Sequence, residues 1–132
     1  MKALRSPYLT LGLCLLTALT FAIQPIVYRS GGPGDVLLVP LLVLATLAVS
    51  LACAQAFRSR PRLAALFATL LVGLFSIGEA YASTALSVML HEPMPWWNED
   101  VFWTGVAICG PLIALTPILT FVLARLLSRP TA

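Results

Sequence analysis

Four long apolar segments alternate with short polar segments along the chain, at residues 7–28, 36–57, 63–90 and 101–127. Each is about 20 residues or longer, the length that an α-helix needs to cross a hydrocarbon core of about 30 Å. Only 10% of the residues are charged, whereas soluble domains carry about 25%. The pattern therefore predicts one transmembrane domain over residues 1–132, with four membrane-spanning helices and little chain left for a soluble domain.

Each predicted helix carries a stripe of small or weakly polar residues at three- and four-residue spacing. Membrane helices pack through such stripes, because small residues let backbones approach and hydroxyl groups bond across helices. We therefore expect an all-α, antiparallel four-helix bundle with short loops. The stripe of the second segment is Thr46, Ser50 and Cys53.

The stripes of the third and fourth segments predict that these two helices form the closest pair. The helix-packing residues expected there are Gly73, Ala80, Ala107, Gly110 and Ala114. Because a large side chain would force the two backbones apart, leucine at Gly73 or Gly110 is expected to destabilise the bundle.

Basic residues are distributed unevenly among the polar segments. Both termini and the second loop hold Lys2, Arg5, Arg58, Arg60, Arg62, Arg125 and Arg129, whereas Arg29 lies in the first loop. Basic residues favour the cytoplasmic side, so we predict that both termini are cytoplasmic. Small size and composition favour a bacterial-type inner membrane. The net charge of +3 thus reflects topology, and no nucleic-acid partner is expected.

Capping and turn residues mark the helix boundaries. Ser6 followed by Pro7 is typical of an N-cap and a first helical residue. Segment 58–62, RSRPR, reads as a short turn into the third helix. Its arginines can hold anionic lipid head groups; the alternative is that they only set the topology.

The first apolar segment has a second interpretation, as a cleavable signal peptide. Lys2 and Arg5 precede the apolar stretch, and residues 20–22, TFA, form a weak cleavage site. The segment is long for a signal peptide, whose apolar region usually has about 7–15 residues. Cleavage would leave three spans in the same orientation.

Glu79 is the one charged residue predicted inside the membrane, slightly beyond the middle of the third segment. Ionisable groups at such depth are costly and mark functional sites by default. Ser76 and Ser83 share its side of the helix, so these three residues form an intramembrane candidate site. One interpretation is a neutral glutamic acid that hydrogen-bonds between helices; the others are a proton- or ion-coupling site and a contact with a partner's membrane helix.

The loop at 91–100 is rich in tryptophan and acidic residues. Aromatic rings sit well at the lipid head-group level, and acidic residues suit a helix start. The loop can therefore be an aromatic belt with a helix cap, or a docking patch on the side opposite the termini. The docking residues would be Trp96, Trp97, Glu99, Asp100 and Trp103.

Enzymatic chemistry finds little support in the sequence. Cys14, Cys53 and Cys109 lie on three different apolar segments, and His91 is the sole histidine. This arrangement predicts neither a disulfide framework nor a metal site. The glycine-rich GGPG segment lacks the lysine of a phosphate-binding loop. We expect neither a cofactor nor catalytic residues.

Two functional hypotheses remain. The first is an accessory, assembly or regulatory subunit, which binds another membrane protein through helix contacts and the tryptophan-rich loop. The second is a small transporter or channel, which associates with copies of itself and uses Glu79 as the coupling site. The lipid bilayer is a partner in both.

The topology is testable by cysteine labelling. In a background without the native cysteines, cysteine placed at position 98 should react with an impermeant maleimide added to intact cells. Cysteine at position 60 should react only after the cells are opened, because the positive-inside distribution places it in the cytoplasm. Labelling of position 60 in intact cells would overturn this topology.

Overall fold

A computed structural model describes residues 2–29, 37–89 and 99–130, and its regular structure is helical. A short helix, α1 (Lys2–Arg5), precedes four long ones. They are α2 (Pro7–Arg29), α3 (Leu38–Ala56), α4 (Pro61–Met89) and α5 (Glu99–Ser128). These bounds agree with the predicted segments to within about two residues at each end.

Two of the helix boundaries have the predicted local chemistry. The backbone N–H of Tyr8 donates to Ser6 Oγ over 3.3 Å, so Ser6 caps α2 and Pro7 is its first residue. Between α3 and α4 the backbone N–H of Arg60 donates to the carbonyl of Phe57 over 2.9 Å. This tight turn brings α4 back along α3 and stacks Phe57 on Phe67, with ring centroids 5.1 Å apart.

Large apolar side chains cover the outside of the bundle. Leu15 of α2, Leu74 of α4 and Ile118 of α5 are each more than half exposed. Four helices are long and apolar enough to cross a membrane, and lipid is the medium in which such a surface is stable. The chain is therefore a multi-pass membrane protein built as an all-α bundle.

Helix α3 lies at the centre of the bundle. It packs against α2, α4 and α5, and half of its most apolar stretch is buried, against 6% for α2. Its side chains allow this crowding because many are small: Ala45, Ala48, Ser50, Cys53 and Ala54 are all buried. The predicted stripe of Thr46, Ser50 and Cys53 is buried as expected.

Helices α4 and α5 form the most extensive helix pair, as predicted. The residues that α4 buries are Ala64, Ala68, Val72 and Glu79, and those of α5 are Thr116, Thr120, Ala124 and Leu127. These lines lie about one residue before the predicted stripes. One residue corresponds to a rotation of about 100° around the helix axis. Each helix therefore turns inward a face about 100° away from the predicted one.

The small-residue stripes therefore do not coincide with the buried faces of α4 and α5. Ala80, Ala107 and Ala114 are exposed. A Cβ added at Gly73 or Gly110 would find no neighbouring atom within 4 Å. The physical reason is that lipid and protein are equally apolar, so residue size alone does not select the inward face. Leucine at Gly73 or Gly110 does not have to push α4 and α5 apart.

The expectation that hydroxyl groups bond across the helices holds for Thr10, which donates to Gln55 Oε1 over 2.8 Å, but four other hydroxyl groups bond within their own helix. Thr46, Thr69, Ser76 and Thr120 each donate to the carbonyl four residues earlier in their own helix, over 2.7–2.9 Å. A hydroxyl satisfied in this way needs no partner on a neighbouring helix. These residues therefore contribute small volume to the packing and no hydrogen bond between helices.

Candidate functional site

Glu79 lies on the inward face of α4, in line with Ala64, Ala68 and Val72, and is 3% exposed. Its side chain therefore turns into the bundle. At 1.5 Å per residue, Glu79 lies about 27 Å along the axis from Pro61, the first residue of α4.

The level of Glu79 follows from the lengths of α3 and α4. Helix α3 has 19 residues and is therefore about 28 Å long. Because a short turn joins α3 to α4, Glu79 lies close to the level at which α3 begins. A hydrocarbon core of about 30 Å that matched the length of α3 would place this level near the boundary remote from the α3–α4 turn.

The serines predicted to accompany Glu79 are only partly described. Ser76 Oγ donates to the carbonyl of Val72 over 2.9 Å. Its proton is thus used inside α4 and is not donated to Glu79. The side chain of Ser83 lies outside the described residues. Gln24, on α2, is a buried polar residue at a similar level, 6% exposed, about 26 Å from Pro7 along its helix.

The predicted docking loop lies mostly outside the described part of the chain. This applies to Trp96 and Trp97 and to the side chains of Glu99 and Asp100. Trp103, in the first turns of α5, is 58% exposed. Tyr81 and Met89, in the last turns of α4, are 79% and 77% exposed. Aromatic surface is therefore present at this end of α4 and α5.

A polar network that the sequence analysis missed ties the helices together at the opposite end, here called the basic end. It is centred on Gln55, in the last turn of α3. Gln55 Nε2 donates to the carbonyls of Leu4, over 2.9 Å, and Ser6, over 3.3 Å. Gln55 Oε1 accepts from Thr10 Oγ1 over 2.8 Å. One amide thus holds the start of α2 against α3.

Arg5 adds a second tie at the basic end. Its Nη2 donates to the carbonyl of Leu127, over 3.2 Å, and also to that of Arg129. A cation suits the negative end of a helix dipole and satisfies carbonyls that lack a helical partner. Gln55 and Arg5 together bring segments 4–10, 55–58 and 124–129 to one end, which agrees with the shared side inferred from charge. The sequence signal for this network was Gln55, a glutamine in the last turn of an apolar span, because its amide requires hydrogen-bond partners.

The two sites offer groups for binding and for proton exchange. Among the described residues, no three of His, Cys, Asp and Glu lie together in a way that could hold a metal ion. Glu79 offers one carboxyl group on the packed side of α4. Comparison of the chain with protein-family models, curated proteins and solved structures gives no match.

Glutamine at position 79 should preserve the fold. Glu79→Gln keeps a donor and an acceptor at similar volume, so thermal unfolding in detergent should be unchanged. Glu79→Ala should lower the stability by about 2 kcal/mol or more, because it leaves a cavity at a buried position. Ser76→Ala is the matched control and should have little effect, since that hydroxyl bonds its own helix. Equal loss of stability in Glu79→Gln and Glu79→Ala would show that the fold requires the carboxyl group itself.

Alanine at position 55 should weaken the basic end. Gln55→Ala removes three hydrogen bonds and strands part-buried carbonyls, at a cost of about 1–3 kcal/mol. Thr10→Val, which removes one of these bonds, should cost less. Differential scanning fluorimetry in a mild detergent measures both changes. If Gln55→Ala unfolds at the wild-type temperature, the network does not stabilise the bundle.

Proposed function

We propose that the chain is an accessory, assembly or regulatory subunit that binds another membrane protein through the outward sides of α4 and α5. The observation that carries the proposal is the position of the small-residue stripes. Gly73 and Gly110 are half-buried with open space beside them, and Ala80, Ala107 and Ala114 are exposed. Stripes of this kind allow a second helix to approach closely, and a Cβ at Gly73 or Gly110 would meet no atom within 4 Å.

The level of Glu79 also favours this function over transport. Coupling sites of transporters typically lie near the bilayer midplane, whereas Glu79 lies about 27 Å from the start of α4. A buried carboxyl near the membrane boundary suits a contact with a partner or an interhelical hydrogen bond. Exposed Trp103 and Tyr81 add aromatic surface of the type enriched in protein interfaces.

The second candidate is a small transporter or channel that assembles from copies of this chain. The observation in its favour is the burial of Glu79, 3% exposed, on the packed face of α4. An intramembrane carboxyl is a recurrent proton-coupling group. The two functions respond differently to Glu79→Gln, because an amide cannot exchange a proton near neutral pH: docking persists and proton coupling is lost.

We further propose that the membrane is a bacterial-type inner membrane and that both termini are cytoplasmic. The hydrogen bonds of Arg5 and Gln55 gather the start of α2, the α3–α4 turn and the end of α5 at the basic end. Seven of the eight basic residues belong to these segments. The positive-inside distribution then supports a cytoplasmic position for this end.

The partner hypothesis is tested by affinity purification in a gentle detergent, followed by mass spectrometry. The wild-type chain should recover a larger membrane protein in fixed stoichiometry. Gly73→Leu and Gly110→Leu should reduce that recovery about tenfold or more, because each leucine fills the space a partner helix would occupy. Both variants should unfold at the wild-type temperature, since a Cβ at either position meets no atom of the bundle within 4 Å.

Gly12→Leu is the matched control. A Cβ at Gly12 also has no neighbour within 4 Å, but Gly12 lies on α2, outside the proposed contact. This variant should recover the partner normally. If the wild-type chain purifies as a homo-oligomer without a stoichiometric partner, the second function takes precedence.

A further inference from the structure

A cavity of about 260 Å³ lies at the basic end, next to the Gln55 network. Its lining residues are Arg5, Pro7, Gln55, Arg58 and Leu127. Since a water molecule takes up about 30 Å³, the cavity has room for a phosphate group together with several waters. The two charged groups in the lining are both guanidinium groups.

The hydrogen bonds around the cavity leave donors available. Arg5 uses Nη2 on the end of α5, whereas its Nε–H is buried and has no hydrogen-bond partner. Arg58 uses Nε on the carbonyl of Gln55, over 3.3 Å, and its side chain is exposed. Both amide hydrogens of Gln55 are already donated. The available groups of the two arginines are therefore donors, which an anion can satisfy.

Two further features bear on the electrostatic potential at the cavity. Pro7 opens α2, so the positive end of that helix dipole lies in the cavity wall, while Arg5 and Arg58 offset the negative ends of α5 and α3 by donating to carbonyls there. The sequence places no aspartate or glutamate in 1–34 or 36–78, so no acidic side chain of these segments competes for the arginines. Arginine forms a planar fork of donors that matches phosphate oxygens.

We propose that this cavity binds a phosphate group. Its position at the basic ends of membrane-length helices corresponds to the head-group level, where anionic phospholipids supply phosphate. A soluble phosphate compound has the same recognition chemistry and is the other source. Bound there, the phosphate links Arg5, next to the start of α2, to the turn that carries Arg58. This ligand is independent of the membrane-protein partner proposed for α4 and α5.

Lipid retention tests the proposal. The full-length protein is reconstituted in nanodiscs of phosphatidylcholine and phosphatidylglycerol, released into detergent, and examined by native mass spectrometry. Wild-type protein should retain phosphatidylglycerol in preference to phosphatidylcholine. Arg58→Gln should reduce that preference about tenfold, the usual weight of one hydrogen bond to a charged group. Arg5→Lys, which keeps the charge but loses the fork, should also reduce it.

The control variants are Arg60→Gln and Arg62→Gln, which remove the same charge from the same turn but lie outside the cavity lining. Both should retain the preference. Equal losses in Arg58→Gln and Arg60→Gln would overturn the site, since diffuse charge would then explain the binding. Glycerol phosphate, added in detergent, separates the two sources. If it raises the unfolding temperature of wild type but not of Arg58→Gln, without lipid preference, the ligand is soluble; if neither probe binds, the proposal is wrong.

Discussion

A polar group within the hydrocarbon core has no water to bond, so its hydrogen bonds must be made within the protein. This constraint explains the geometry of the hydroxyl groups in the bundle. Thr46, Thr69 and Thr120 donate to carbonyls of their own helices. Bonds between the ends of different helices come from Arg5 and Gln55, at the basic end. At the basic end, hydrogen bonds thus add to the packing that holds the helices together.

The central position of α3 follows from these local hydrogen bonds of the hydroxyl groups. When hydroxyl groups donate to carbonyls of their own helix, the association of helices depends on close van der Waals contact. Small side chains allow that contact on several faces at once. Helix α3 buries alanines 45, 48 and 54, and the neighbouring helices add Ala64, Ala68 and Ala124. Helix α2, with its leucines turned outward, is attached chiefly through α3 and the Gln55 network.

Much of this architecture could be predicted from sequence because length and apolarity alone define a membrane span. The four spans follow from these two properties, whereas the pairing of α4 with α5 was predicted from stripes that do not lie in the contact. The rotation of α4 and α5 could not be predicted, because an apolar residue is equally stable against lipid and against another helix. Gly73 therefore resembled a contact residue, although the bundle leaves open space beside it. The hydrogen bonds of Arg5 and Gln55 depend on which helix ends lie side by side, and this cannot be predicted from a single sequence.

The two ends of the bundle differ in a way that bears on function. Helices α4 and α5 have 29 and 30 residues, about 43 Å each, whereas α3 is about 28 Å long. Measured from the basic end, the α4–α5 pair therefore extends about 15 Å beyond α3. Glu79 lies near the level of the first residues of α3. A buried carboxyl placed there lies close to the part of α4 and α5 that extends beyond α3, and the assembly role proposed above would use this part together with the outward small-residue stripes.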